Sequence, residues 1–594
     1  VQTVAGRAVL VSHLGYDAEA PKAAILVGFD DGCEVRVERL DADGNRDGAR
    51  VGNRDGAQDA ALAQLTLSPA VAVARWSDVA YARAEFDDLR EPGRYRLVAV
   101  GGGATAASEP FTVAEDRLPS LVVSDITAMF RAQRSSGEIE RKDAAARFYG
   151  DDSGRTVDAR GGWLDASGDY SKFLSHLTYT RMMSPQQIPL CAWALLTAGR
   201  ELRAAHPGFQ TSQYPRLRDE GLFGADFLVR FQDPAGFFYT AIFDALTKRL
   251  EERVITAPLQ DSVRTQRWQA AYRHGGGVAI AALALASTAD ADGDFARADY
   301  WAAAVRGFDH LEEHNRAYLF DGEESAIDDY CALLAAAELV RAARDRGVDG
   351  TRFAEAGRRR ADALAQRLRD DPAGAWLVGD VEGRPFFHAA EPGLPAVALL
   401  RWAEVLREGG AADDASAADR AERTALAILG GMLARTDDAA NPFGYPRQRV
   451  QPLGGEPRDA FFFPHENETG YWWQGENAGI ASFAYASAVA SRLSSVDDGL
   501  RERLRRLHAD VVGWIGGLNP FDSCMLQGRG RNGVEYSATY QNTPGGIVNG
   551  ITSGWDDEAG IAFLPDEAPD GEEWRWAEQW IPHSGWFLLA VCAC

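Results

Sequence analysis

The chain has no apolar run long enough to cross a bilayer. Its longest uninterrupted stretches, such as Val278 to Ala286, are about half the roughly 20 residues a membrane helix needs. It also lacks a basic excess: 62 Lys and Arg stand against 87 Asp and Glu, a net charge of −25. That balance is the opposite of the electrostatic footprint for phosphate backbones, so neither nucleic acid nor an anionic membrane is an expected partner, whereas a neutral or cationic substrate meets no repulsion. Cysteine is scarce. The six residues Cys33, Cys191, Cys331, Cys524, Cys592 and Cys594 are scattered, several in apolar helical contexts, which predicts reduced buried thiols and excludes a disulfide scaffold. The chain opens Val1-Gln-Thr-Val with no basic region followed by an apolar one, and a cytoplasmic location is the resulting expectation.

Several catalytic signatures are missing too. His310-Leu-Glu-Glu-His314 spaces two histidines one helical turn apart but has no Glu directly after the first, as a zincin requires. Gly275-Gly-Gly is not followed by Lys-Ser or Lys-Thr, no Gly-x-Ser-x-Gly elbow occurs, and Cys592-Ala-Cys594 has no partners at zinc-ligand spacing. No metal and no obligatory cofactor are inferred.

What is present is length and pattern. The 594 residues are 46% hydrophobic and 25% charged, within the globular norm and more than one ordinary domain. From about residue 8 to 113 short alternating stretches such as Ala24-Ala-Ile-Leu-Val-Gly and Tyr95-Arg-Leu-Val-Ala-Val are separated by turn clusters at Asp41 to Gly56, Glu91-Pro-Gly and Gly101-Gly-Gly. This predicts an immunoglobulin-like β-sandwich over residues 1–117. After the joint Glu115-Asp-Arg-Leu-Pro119 the apolar period changes to three and four. About twelve helices are expected, near 120–135, 185–205, 214–233, 267–289, 293–314, 325–346, 351–369, 394–408, 416–435, 472–492, 497–517 and 575–592. Without a fixed repeat, twelve helices imply six hairpins closed into an (α/α)6 barrel over residues 118–594. Its long loops, 136–184, 234–266, 370–393, 436–470 and 518–574, are the places to look for function.

The first of these loops holds Gly161-Gly-Trp-Leu-Asp165-Ala-Ser-Gly-Asp169-Tyr-Ser-Lys-Phe. Small residues between the two carboxylates permit a tight turn that aims both into one cleft, where mutual repulsion raises one pKa toward the range of a general base. An Asx turn or cap at Asp165 with a solvated Asp169 accounts for the spacing equally well; the flanking glycines and aromatics favour a site. Near the C-terminus, Trp574-Arg-Trp-Ala-Glu578-Gln-Trp-Ile-Pro-His583 sets one carboxyl among tryptophans, surroundings that keep an acid protonated. On its own Glu578 also reads as a cap of a core helix. With the Asp pair it completes the two-carboxyl machinery of a glycosidase.

On these segments the chain resembles glycoside hydrolase family nine over nearly its whole length. The glycine-rich Asp-Ala-Gly-Asp loop of that family is similar to Asp165-Ala-Ser-Gly-Asp169, Phe130-Arg-Ala-Gln-Arg-Ser-Ser fits its first barrel helix, and the family's acid segment is similar to Ala577-Glu578 through Gly585-Trp586. The resemblance implies an immunoglobulin-like domain followed by an (α/α)6 barrel, with Asp169 as catalytic base, Asp165 helping to hold the attacking water and Glu578 as acid. Two differences stand out: an extra Ser in the first loop, and Gln-Trp-Ile-Pro-His-Ser-Gly where the family has Asp-Tyr-Asn-Ala-Gly, so that His583 takes the place of a tyrosine near the reactive sugar. Ser184-Pro-Gln-Gln-Ile-Pro-Leu, Ile327-Asp-Asp-Tyr-Cys-Ala-Leu-Leu, Trp472-Trp-Gln-Gly-Glu-Asn-Ala-Gly and Gly517-Leu-Asn-Pro-Phe-Asp resemble a bacterial branch that includes exo-glucosidases and exo-β-glucosaminidases.

Candidate sugar contacts follow. Trp472 and Trp473 beside Gln474 and Glu476 combine an apolar platform with a polar rim, although such tryptophans are as often core. Glu466, Glu468 and Glu476 form an acidic group that suits a glucosamine ammonium or simply solvent. Asp328 and Asp329 read more readily as a helix cap than as cleft residues, and Arg529 and Arg531 as hydroxyl ligands or ordinary loop residues. The expected activity is inverting hydrolysis of β-linked glucose-type oligo- or polysaccharides, with acid and base carboxyls about 6.5 to 9.5 Å apart. The alternatives are an exo-β-D-glucosaminidase acting on chitosan oligosaccharides and a non-catalytic carbohydrate-binding protein.

Overall fold

The computed structural model describes residues 1–30, 32–41, 64–410 and 412–593. Most of the turn cluster expected from Asp41 to Gly56, and Cys594, lie outside the described residues. The five described cysteines are unpaired and buried.

The N-terminal region forms two facing sheets. β1 (Ala8–Leu10), β3 (Ala23–Val27) and β6 (Tyr81–Glu85) make an antiparallel three-stranded sheet in the order β1-β3-β6. The second sheet runs β2 (Tyr16–Asp17), β9 (Phe111–Ala114), β7 (Gly93–Gly101), β4 (Glu34–Leu40), β5 (Gln64–Leu65), with β8 (Ala104–Ala107) paired to β7. Side chains alternate across a strand, and β3 uses both faces. Ala24 and Leu26 join Val35, Val37, Leu97 and Val113 in the sandwich core, whereas Ile25 and Val27 enter the same cluster as the helical domain. This is why all five β3 residues are buried and why the strand reads as a continuous apolar run. Trp76 extends the interface, 4.9 Å from Phe461 and 5.7 Å from Trp514 between ring centroids. Arg83 of β6 pairs with the buried Asp510 at 2.6 Å.

Twelve longer helices follow: α1 (Arg117–Ala132), α2 (Ile188–Ala205), α3 (Gln213–Arg230), α4 (Gly276–Ala286), α5 (Arg297–Tyr318), α6 (Ala326–Arg346), α7 (Thr351–Gln366), α8 (Leu394–Gly409), α9 (Ala412–Asp437), α10 (Asn477–Ser491), α11 (Asp498–Ile515) and α12 (Ile581–Cys592). The even-numbered helices contact one another in sequence and α12 returns to α2, closing an inner ring; each is backed by an odd-numbered neighbour, with α1 behind α12. Composition sorts the two rings. Every residue of α4 and α12 is buried, whereas the outer α7 buries only Phe353, Ala356, Gly357 and Leu364, as all-apolar and amphipathic helices do. The β-sandwich followed by an (α/α)6 barrel is the expected architecture.

Three expected helices are shorter than their apolar periodicity predicts. Residues 267–275 precede α4, which starts only after Gly275 takes a left-handed conformation (φ 97°). Trp472 and Trp473 precede α10. The span 575–592 is broken by an extended segment: a short helix Trp574–Ala577 ends at Glu578 (φ −66°, ψ 140°), and α12 begins with Ile581-Pro582, a first-turn position that suits proline. Because every connection into an inner helix starts on one end of the barrel, loops 133–187, 231–275, 367–393, 438–476 and 516–580 gather on that end.

Candidate active site

The loop carrying the Asp pair is fastened at both sides. Trp163, fully buried, donates its indole N–H to Glu220 at 2.9 Å. Lys172, also buried, pairs with Asp143 at 2.6 Å and donates to the carbonyls of Ala159 and Gly161. Between them the chain turns tightly: Asp165 N–H donates to Ser171 O (2.9 Å), Asp169 N–H to Ala166 O (3.2 Å), and Gly168 lies at φ +77°. β10 (Lys172–Phe173) then pairs with β11 (Ala241–Phe243), which continues into β12 (Val254–Pro258) and β13 (Arg264–Thr265). This small sheet docks a second loop against the first.

The extended break before α12 places Glu578 beside this pair. Ala166 bridges Trp580, Ser167 N–H donates to Gln579 O at 2.8 Å, and Gln579 N–H donates to Ser167 Oγ at 3.0 Å. On the other side Val548 bridges Gln579 and Asn549 N–H donates to Glu578 O at 2.7 Å. The Trp580 indole N–H donates to Asp165 Oδ1 at 3.0 Å. Asp165, Asp169 and Glu578 thus face one cleft of about 560 Å³, walled by Trp472, Trp574, Trp580, Tyr536 and Tyr540.

Three carboxyls in one partly dehydrated cleft cannot all ionise easily. Burial, then the charge of Asp169, pushes Asp165 well above the carboxylate range against a hydrogen bond from Trp580. Burial, then Asp169 and Asp165, does the same to Glu578. Asp169 rises to about 7, chiefly through burial and then the neighbouring Asp244, with the ammonium of Lys248 opposing the rise. Such an arrangement can hold a proton on one carboxyl while another accepts one.

Residues 120–539 match the family model described as Glycosyl hydrolase family 9. The chain belongs to this family of glycoside hydrolases. No curated protein matches it. Among solved structures it is similar to a Bacteroides ovatus family 9 protein (16% identity, 98% of each chain covered, TM-score 0.62). A metagenome-derived family 9 endoglucanase is similar at 17% identity, 98% of each chain and a TM-score of 0.62, and family 9 endoglucanase J30 at 16% identity, 97% and 99% coverage and 0.62. At these identities the likeness is one of fold. Asp165 and Asp169 lie within the family match; Glu578 lies beyond its end at residue 539.

The other expected contacts of this family 9 hydrolase divide. Trp472 and Gln474 line the cleft, but Trp473 does not; its ring stacks on His465 at 3.7 Å and carries Arg575 at 4.3 Å, a packing role. Glu476 is buried away from the cleft, accepting from Phe463 N–H at 2.9 Å, Glu468 accepts from Met182 N–H at 2.7 Å, and Glu466 is exposed; none of the three lines the cleft. Arg529 pairs with Asp125 of α1 at 2.6 Å and Arg531 with Asp522 at 2.6 Å, both outside the cleft. Asp328 caps α6, accepting from Ser325 N–H at 2.8 Å, and Asp329 pairs with Arg360 and Arg367.

His583 needs the largest correction. It is fully buried and does not reach the cleft. Its Nδ1 accepts from Ala478 N–H at 2.7 Å, which leaves Nε2–H to donate to Asn549 Oδ1 at 2.9 Å, and Asn549 Nδ2 donates to Glu578 Oε2 at 3.3 Å. Burial holds the imidazole neutral, with its pKa lowered to about 3. His583 is therefore linked to Glu578 through Asn549 and lies outside the cleft lining.

Cleft residues to which no motif points are Asp244, Lys248, His176, Tyr471, Tyr536 and Tyr540. None sits in a pattern that spacing distinguishes. Leu246 and Lys248 lie in the hairpin tip after β11, and the only local hint was the length of the loop that carries them.

Proposed function

We propose that this family 9 hydrolase cleaves β-linked glucose-type oligo- or polysaccharides, of the β-1,4-glucan kind, with inversion of configuration. The observation that carries the reading is the pairing of segment 578–580 with 165–167, which sets Glu578 beside Asp165 and Asp169 in one tryptophan-walled cleft. Asp169, the carboxyl held at about 7, ionises and takes a proton from water that Asp165 helps to hold. Glu578, held well above its ordinary value by burial and by both aspartates, keeps its proton and delivers it to the leaving oxygen. The apolar faces of Trp472, Trp574 and Trp580 suit sugar rings, whose edges meet Gln474 and the carboxyls.

Incubation with cello-oligosaccharides and, separately, chitosan oligosaccharides tests this. Release of glucose or shorter glucans, first appearing as the α-anomer by NMR and absent in Asp169→Asn and Glu578→Gln, is the expected result. Release of glucosamine alone would move the substrate to amino sugars. Products of retained configuration would overturn the inverting mechanism, and the absence of any hydrolysis would favour a carbohydrate-binding role.

A further inference from the structure

The hairpin tip after β11 is the most strained segment facing the cleft. Ala245, Leu246 and Lys248 all take positive φ, between 56° and 58°, a region that costs an L-residue about 1–2 kcal/mol. Two side chains hold the tip there: Thr247 Oγ1 donates to Asp244 O (2.8 Å) and accepts from Arg249 N–H (3.2 Å), and Asp244 makes the remaining bonds. Asp244 accepts from Leu246 N–H (3.0 Å), Lys248 N–H (2.7 Å) and Ser171 Oγ (3.1 Å), the last a residue of the base loop. The consequence is that the Lys248 ammonium lies 3.4 Å from the ring centroid of Tyr540, within cation–π range. Tyr540 in turn covers the base loop: a Cβ at Gly168 would stand 2.8 Å from both Cα and Cδ1 of Tyr540. Two loops far apart in the chain thus meet over the residue next to Asp169.

We propose that Lys248, clasped on Tyr540, is a positioning residue that fixes the base loop and supplies the positive charge that keeps Asp169 ionisable during catalysis. Among the described residues lining the cleft, Lys248 is the cation without an ion pair, since burial keeps the His176 imidazole neutral with its pKa lowered to about 4. Asp165 comes from its own loop, Asp244 from the hairpin tip, and Glu572, Glu573, Glu578 and the phenols of Tyr536 and Tyr540 from the fifth loop, 516–580; none of these is a cation. Arg575, the other cation lining the cleft, is committed to Glu572 at 2.6 Å. Strain retained at a functional site is expected when the surrounding structure uses it, and here it sets an ammonium on Tyr540, which packs against the base loop.

The inference rests on the proposed hydrolysis, and its test separates the two. The pH dependence of kcat/KM on cello-oligosaccharides is measured for wild type, Lys248→Met, Lys248→Gln and Lys248→Arg. Loss of the charge raises the pKa of the base, so the acidic limb of Lys248→Met and Lys248→Gln moves up by about 0.5 unit or more, about a threefold loss on that limb. Lys248→Arg, which keeps the charge, restores the wild-type limb. Unshifted limbs in folded Met and Gln variants overturn the proposal, as does an equal fall at all pH values. If the wild type hydrolyses no glycan, the proposed function fails, and the clasp is judged by amide exchange instead: segments 165–171 and 536–543 exchange faster in Lys248→Met if the clasp exists, and at the wild-type rate if it does not.

Discussion

Gly168→Ala tests whether the contact between Tyr540 and the base loop places Asp169. Two costs are expected. An alanine at φ +77° occupies the left-handed region at about 1–2 kcal/mol, and its Cβ, 2.8 Å from the Cα of Tyr540, must push backbone away at about 1–3 kcal/mol. The sum is about 2–5 kcal/mol. Gly154 provides the control: it lies in the same long loop at φ +76° with nothing within 4 Å of an added Cβ, so Gly154→Ala incurs only the first cost. Asp169 is the next residue in the chain and moves with Gly168, and a shift of about 1 Å in a reacting group costs about 100-fold in rate. Thermal melts and kcat/KM on cello-oligosaccharides are the assays. Gly168→Ala should melt below Gly154→Ala and lose about two orders of magnitude in kcat/KM, whereas Gly154→Ala should retain its rate. Equal melting temperatures and equal rates for the two variants would refute the argument that Tyr540 holds this turn.

Glu578→Gln should lower kcat on unactivated glucans by about 10²–10⁴-fold, and far less on aryl glycosides whose leaving group needs no proton; equal losses on both would exclude the acid role. Since Asp169 sits at about 7 and must be ionised, kcat/KM should fall as pH drops below about 7, with the alkaline limb set by Glu578, and a profile flat from pH 5 to 8 would contradict this. His583→Phe keeps the ring and removes both bonds, so it should lower kcat through a misplaced Glu578 while KM stays nearly constant; a selective rise in KM would restore His583 as a sugar contact. Glu476 is buried with one oxygen unpartnered and its pKa raised to about 8. The folded state therefore holds a proton that the unfolded chain releases above its ordinary value of 4.5, and stability declines as pH rises from there to about 8. Glu476→Gln should remove that slope, which amounts to about 4 kcal/mol at pH 8, measured by chemical denaturation at pH 5 and pH 8.

Features that depend on local order and on pattern are legible along the chain. Alternating strands, a switch to helical periodicity after the Glu115–Pro119 joint and twelve helical stretches are enough for a sandwich and a toroid, because burial of one face imposes those periods directly. Asp165 and Asp169 were legible for the same reason: they share one turn, and the small residues between them already limit where the carboxyls can point. Glu578 was found through its tryptophan surroundings and its resemblance to a family segment.

Contacts between distant segments settle the rest. Trp473, Glu476, Arg529 and His583 are chemically suited to sugars, yet His465, Phe463, Asp125 and Asn549 respectively occupy their faces, and no spacing along the chain reveals such partners. Lys248 and Tyr540 stand 292 residues apart in unpatterned loops, and they meet because the barrel brings its long connections to one end. The break at Glu578 overrides helical periodicity because the backbone of 578–580 finds its hydrogen bonds in segments 165–167 and 548–549. Unpaired backbone groups are costly to bury, so the fold extends the chain there and turns an apolar helical stretch into the wall of a cleft.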